Sequence, residues 1–353
     1  MQNRREWKLL KLEEMLASVE DLPRYPSIET IGYMLQKCRE EKNGFSTRRL
    51  YDYIQKFGLE NHPSIGNYLV PMLADAGNVC DAHKVFHNLD FPNEYSWNSL
   101  ITCFIKYGDP QKAFILYQKM CISSVKPTAY TFVALLKACT ALKDLEGGQT
   151  IHAQIDRNVS LKADDFISSA LINMYVKCGS IGKAEEVFEN VLVRNVVSWN
   201  ALISGYAQLG QANSVLNLYK RMRTEGIMPN SVTFIVLLTA CSHAGLIKEG
   251  EKLFDDMCAH YFLSPTLEHY TCMIDLFGRA GDFDKMKALL DKMPSCDHIP
   301  LYLSILGACS KWRNVKFGLW AFKQVIGLDG NCAAAYMYME SIYTGSWNAN
   351  GCL

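Results

Sequence analysis

The chain has 353 residues, 49% of them hydrophobic, and its 36 lysines and arginines balance 36 aspartates and glutamates. That length gives one large domain or two ordinary ones, with ample apolar material for a core. A zero balance excludes a protein that holds nucleic acid chiefly by displacing counterions from phosphates. It leaves base stacking, base-edge hydrogen bonds, or a local patch that the total conceals.

In chain order, residues 1–20 mix Arg4, Arg5 and Lys8 with Glu6, Glu13 and Glu14. This is unlike a signal peptide, and unlike an acid-poor transit peptide; residues 1–27 are expected to form a helical cap. No run reaches the ~20 apolar residues of a membrane span. The thirteen cysteines are scattered without a CxxC pair. Zinc ribbons and thioredoxin-type sites are therefore unsupported, and a reducing compartment is the simpler reading.

From Met72 onward the chain matches itself at an offset of 102 positions. Gly77, Gly179 and Gly281 share one register, as do Met72, Met174 and Leu276. Tyr95-Ser-Trp-Asn-Ser-Leu-Ile101 falls on Val197-Ser-Trp-Asn-Ala-Leu-Ile203, Gly108 on Gly210, Met120 on Met222 and Pro127 on Pro229. Each block holds three units of about 31, 35 and 36 residues. Trp97, Leu100, Ile101, Phe104 and Ile105 follow the spacing of one apolar helix face, and so do Trp199, Leu202, Ile203, Tyr206 and Ala207. Gly210 ends the latter helix, a second stripe runs through Ala212, Val215, Leu216, Tyr219 and Met222, and Pro229 blocks further helix. A pair of short helices cannot bury both stripes alone, whereas stacked pairs can. The expected fold is all-α, a right-handed α-solenoid of stacked antiparallel helix-turn-helix repeats.

The consensus V-S-W-N-A-L-I-x-G-Y, followed by L-Y-x-x-M and G-I-x-P-N, resembles the pentatricopeptide repeat family. Lys137-Ala-Cys139, Thr239-Ala-Cys241 and Met174-Tyr-Val-Lys-Cys-Gly-Ser180 resemble its plant PLS subclass, in which long, short and standard motifs follow one another. Residues 267–281 are similar to the last short motif of that subclass's RNA-editing factors. In this register the array is 28–298, read as 28–62, 63–93, 94–128, 129–164, 165–195, 196–230, 231–266 and 267–298. Residues 299–353 resemble degenerate E-type extension motifs, without the cytidine-deaminase domain that many relatives carry beyond them. No histidine begins an H-x-E and no PCxxC exists, so that zinc chemistry cannot be assembled here. The resemblance implies a non-enzymatic, cofactor-free binder of single-stranded RNA.

It also implies that the fifth and last residues of each motif touch one base, with the second residue beside it. Carried onto this chain, the pairs are Asn67 with Asn93, Asn98 with Thr128, Ser169 with Asn195, Asn200 with Asn230, and Thr271 with His298; Asp297 takes the place of His298 if the register slips by one. Tyr95, Phe166 and Val197 stand at second positions as stacking groups. By the family's code, Asn-Asn pairs favour pyrimidines, Ser-Asn favours adenine and a fifth-position Thr leans to purine. Amides and hydroxyls suit a base's Watson–Crick edge. Gly32, Val133 and Ile235 at the fifth positions of long motifs are spacers.

Plainer readings stand beside these. An asparagine at a helix start is often a cap. Cys38, Cys139 and Cys241 lie on apolar faces as core. No basic stripe recurs, and Lys220, Arg221 and Arg223 are too few for a phosphate track. By resemblance the expected function is site recognition for organellar RNA processing or C-to-U editing, in mitochondrion or chloroplast, with a cytidine deaminase in trans and editing accessory proteins as partners. The competing reading is a structural or assembly factor of an organellar ribonucleoprotein.

Overall fold

The computed structural model describes residues 12–20, 26–41, 44–162, 164–293 and 298–350. Residues 1–11 and 21–25 of the expected cap, and Asp297, lie outside them. The described residues form 21 helices and no strand. They fall into two compact units, residues 1–191 and 192–353.

The first unit opens with α1 (Leu12–Glu20), whose Leu12, Met15 and Leu16 are fully buried. Hairpins follow: α2 (Ile28–Glu41) with α3 (Gly44–Lys56), α4 (Pro63–Asp75) with α5 (Val79–His87), α6 (Glu94–Tyr107) with α7 (Pro110–Ile122), and α8 (Ala129–Leu142) with α9 (Leu145–Asp156). The single turn α10 (Val159–Lys162) precedes the last hairpin, α11 (Asp165–Lys177) with α12 (Ile181–Asn190). The spacing of apolar residues had not suggested α10. It is set locally by Asn158, whose Oδ1 accepts from the Ser160 amide and hydroxyl at 3.1 and 2.7 Å.

The second unit pairs α13 (Val196–Gln208) with α14 (Ala212–Thr224), α15 (Ser231–Ala244) with α16 (Ile247–Ala259), α17 (Leu267–Ala280) with α18 (Phe283–Leu290), and α19 (Ile299–Trp312) with α20 (Val315–Leu328); α21 (Ala333–Asn350) closes it. In each unit the first helix of a hairpin lies along the first helix of the next, while its second helix packs against its own partner. Each unit is a stretch of α-solenoid.

Apolar periodicity and turn chemistry explain the hairpins together. Trp199, Leu202 and Ile203 on α13 are at most 1% exposed, and Val215, Tyr219 and Met222 on α14 complete the same core. Each fully buried large side chain contributes roughly 1.5–3 kcal/mol, so the stack rather than any lone hairpin supplies the stability. Gly281 ends α17 at φ 77°, in the left-handed region glycine tolerates, and a Cβ there would meet the Trp312 ring at 2.8 Å. The 102-residue offset is visible in the packing. Tyr117 meets Phe132 edge-on with ring centroids 6.0 Å apart, and Tyr219 meets Phe234 the same way at 6.1 Å.

Candidate nucleic-acid interface

The first helices of the first unit line a groove of about 710 Å³, with Arg39 from α2, Asp75 from α4, Tyr95 and Asn98 from α6, Tyr130 from α8 and Phe166 from α11. Three aromatic rings stand open there: Tyr95, Tyr130 and Phe166 are 45, 69 and 52% exposed. Tyr130 and Phe166 have ring centroids 6.0 Å apart. The Arg39 guanidinium lies 5.1 Å from the Tyr95 ring, bonds its hydroxyl and pairs with Asp75 at 2.8 Å. Tyr130 was missed by the sequence reading; it is the second residue of the long motif 129–164 and a register-based search would have found it. In the second unit, Val197 holds the equivalent position and is 58% exposed.

The fifth-position asparagines are held by a device the motif reading overlooked. Each accepts through its side-chain oxygen from a buried hydroxyl at the third position of the following motif: Ser96 to Asn67, Thr131 to Asn98 and Thr233 to Asn200, each at 2.7 Å. Ser96, Thr131 and Thr233 are fully buried. A hydroxyl donating to Oδ1 fixes which way each amide points, so the NH₂ group is the one left to bond elsewhere. Small polar residues on an otherwise apolar stripe were the available signal.

The last-position residues are the caps. Asn93 accepts from the Ser96 amide at 2.9 Å, Asn195 from the Val197 and Ser198 amides at 2.9 Å, and Asn230 from the Thr233 amide at 3.0 Å. The cap reading therefore belongs to these residues, while Asn98 and Asn200 sit inside their helices.

The pairs differ in what they leave free. Asn200 Nδ2 donates to Asn230 Oδ1 at 3.1 Å, which leaves its second amide proton and the Asn230 amide as remaining donors. Asn98 Nδ2 donates to Thr128 Oγ1 at 3.4 Å, and the Thr128 hydroxyl in turn donates to the Glu94 carboxylate at 2.9 Å. Asn67 is saturated: Nδ2 donates to the Pro63 and Phe91 carbonyls at 2.9 and 3.1 Å, and Oδ1 accepts from the Asn93 amide at 2.8 Å as well as from Ser96. Its own carbonyl, which Pro71 leaves without an i+4 donor, lies 3.1 Å from the Ser96 hydroxyl.

Ser169, only 6% exposed, donates to the Asp165 carbonyl of its own helix at 2.8 Å, and Thr271 does the same to Leu267. Ser169 falls in the first unit and Asn195 in the second. His298 is the residue before α19, and its Nδ1 is buried with no hydrogen-bond partner among the described residues. Val133 is buried and borders the groove.

Basic residues end some of the first helices but not all of them, with none in the last turn of α4, α8 or α13. Arg39, Lys106 and Lys177 end α2, α6 and α11, and His243, Arg279 and Lys311 end α15, α17 and α19. Each occupies the last turn of a first helix, where the helix dipole favours a cation. Tens of residues separate them in sequence, and only the helix ends put them in register. The cluster on α14 is not a track: Arg221 pairs with Glu225 at 2.9 Å, and Arg223 lies over the Tyr219 ring. Cys38, Cys139 and Cys241 are buried core, and burial pushes the Cys139 thiol up to about 12 and Cys241 to about 11. Among the described residues no group of three or more histidines, cysteines or acids is placed to hold a metal.

Known proteins resemble this chain over most of its length. The PPR repeat family model matches residues 92–141 and 194–243, and the PPR repeat model matches 166–196, 232–262 and 268–298. Together these spans take in half of the chain. A mitochondrial pentatricopeptide repeat-containing protein of Arabidopsis thaliana is 35% identical over 336 residues, which is 95% of this chain and 52% of the relative. A chloroplastic/mitochondrial one from the same plant is 33% identical over 340 residues, 92% of this chain and 53% of the relative. The chain thus spans about half the length of these relatives. Among solved structures, the maize pentatricopeptide repeat protein PPR10 superposes with a TM-score of 0.71 at 18% identity, covering 97% of this chain and 53% of that one. Its complex with an 18-nt psaJ RNA element gives 0.68 at 17% identity, covering 98% and 58%.

Proposed function

The chain belongs to the pentatricopeptide repeat family, and from that premise we propose that it binds single-stranded RNA sequence-specifically, through bases laid along its first helices. The observation that carries this reading is the Asn200–Asn230 pair. A buried Thr233 hydroxyl takes the Asn200 oxygen and Asn230 takes one Asn200 amide proton, so the second Asn200 proton and the Asn230 amide remain as donors on two half-buried residues. Those donors suit the carbonyl acceptors of a pyrimidine. Stacking on exposed groups such as Tyr95 and Phe166 adds roughly 1–3 kcal/mol per base, which lets a chain of zero net charge bind usefully. Basic residues in the last turns of α2, α6, α11, α17 and α19 add a modest attraction for phosphates.

The finer reading is a plant PLS-type protein that marks a site for organellar RNA processing or C-to-U editing, with a cytidine deaminase supplied in trans and editing accessory proteins as partners. It rests on the likeness of residues 267–281 to the last short motif of editing factors. Relatives whose names say mitochondrial and chloroplastic support a mitochondrial or chloroplast location. The competing reading, a structural or assembly factor of an organellar ribonucleoprotein, draws on Asn67, whose bonds are all met within the protein.

Selection from a random single-stranded RNA pool separates the two. The wild-type chain should enrich a motif with a pyrimidine column that N200A/N230A flattens, at a cost on the order of 1–3 kcal/mol for the preferred base. Unpatterned retention, or none, would favour the scaffold.

A further inference from the structure

Glu94 is the first residue of α6 and lines the groove of the first unit beside Asn98. Its Oε1 accepts from the Thr128 hydroxyl at 2.9 Å and lies 3.5 Å from the Asn98 amide nitrogen. The Asn98 oxygen is already taken by Thr131. The Thr128 hydroxyl is thereby engaged by the carboxylate, and the Asn98 amide is shared between Thr128 Oγ1, at 3.4 Å, and the same carboxylate oxygen, which leaves Oε2 as an acceptor. At the same place in the copy 102 residues on stands Val196, and there Asn200 donates to Asn230 Oδ1 at 3.1 Å with a valine in place of the carboxylate.

We infer that Glu94 is a specificity-determining residue: with Asn98 and Thr128 it makes an acceptor-rich site that selects guanine and rejects uracil. The inference rests on the RNA-reading function proposed above. Guanine presents N1–H and the N2 amino group side by side, a match for a carboxylate's two oxygens. Uracil flanks its one N–H with two carbonyls, whose lone pairs would face the anion. Adenine and cytosine offer one amino group beside a ring-nitrogen acceptor and fall between. None of this follows from the fifth and last residues alone, which are uncharged.

A glutamate in a helix's first turn also stabilises that helix through the dipole, and a purely structural Glu94 would do nothing else. The test is therefore random-pool RNA selection with wild-type, E94V and E94Q chains, with a thermal melt of each. Wild type should show one column in which guanine exceeds uracil roughly tenfold, the scale of a good two-bond base contact. E94V and E94Q should lose that preference in that column alone, with every other column unchanged. Identical columns in wild type and both variants, whether or not the melts move, would overturn the inference and leave RNA reading intact. A wild-type chain that enriches nothing would overturn RNA reading itself, and this inference with it.

Discussion

Residues 94–128 and 196–230 are two copies of one hairpin, and the contrast between them separates what folds the chain from what it reads. Their cores are interchangeable. Trp97 and Trp199 are both buried, and the Tyr117–Phe132 and Tyr219–Phe234 contacts agree to a tenth of an ångström. Their polar edges are not. Glu94 accepts from Thr128 and lies within reach of the Asn98 amide, whereas Val196 puts no acceptor side chain beside the Asn200–Asn230 pair. One exposed first-turn residue changes the chemistry offered to a ligand while the buried positions stay fixed. A repeat protein can vary its edge cheaply, because surface substitutions cost little stability.

The comparison breaks most visibly in the core. W97A and W199A should each cost about 3–5 kcal/mol by urea unfolding, since both leave a large cavity. A loss below ~1 kcal/mol at either one would mean that the two hairpins are not packed alike. Next come the hydroxyls that orient the reading amides. T131V and T233V each leave an asparagine oxygen without its buried donor and should cost about 1–3 kcal/mol in the same assay, with a matching loss of base preference at that hairpin. Removing a cap is milder. N230A should cost about 1 kcal/mol, because one first-turn amide of α15 loses its acceptor. Smallest is E94Q, expected within ~0.5 kcal/mol of wild type in stability. That near-silence is what makes its effect on base choice interpretable.

Much of this was legible in the sequence. Apolar spacing and the 102-residue offset identify Trp199, Leu202 and Ile203 as core, and Gly210 as a helix end, because burial and left-handed backbone impose residue types directly. Tyr95, Phe166 and Val197 lie exposed at second positions, open to a ligand. What escaped the sequence was pairing across motifs. Nothing near Asn98 announces that Thr131, 33 residues on, holds its oxygen, or that Glu94 reaches Thr128, 34 residues on. The saturation of Asn67 depends on two backbone carbonyls whose placement no residue pattern encodes.

Where RNA touches the protein decides the matter, and photocrosslinking reads it out. A uridine-rich single strand carrying 4-thiouridine, irradiated with the chain and mapped by peptide mass spectrometry, should leave adducts on the first helices: at or beside Tyr95, Tyr130 and Phe166 in the first unit, and Val197 and Asn200 in the second. Adducts confined to second helices such as α7 and α14, or their absence at saturating RNA, would contradict a reading surface on the first helices.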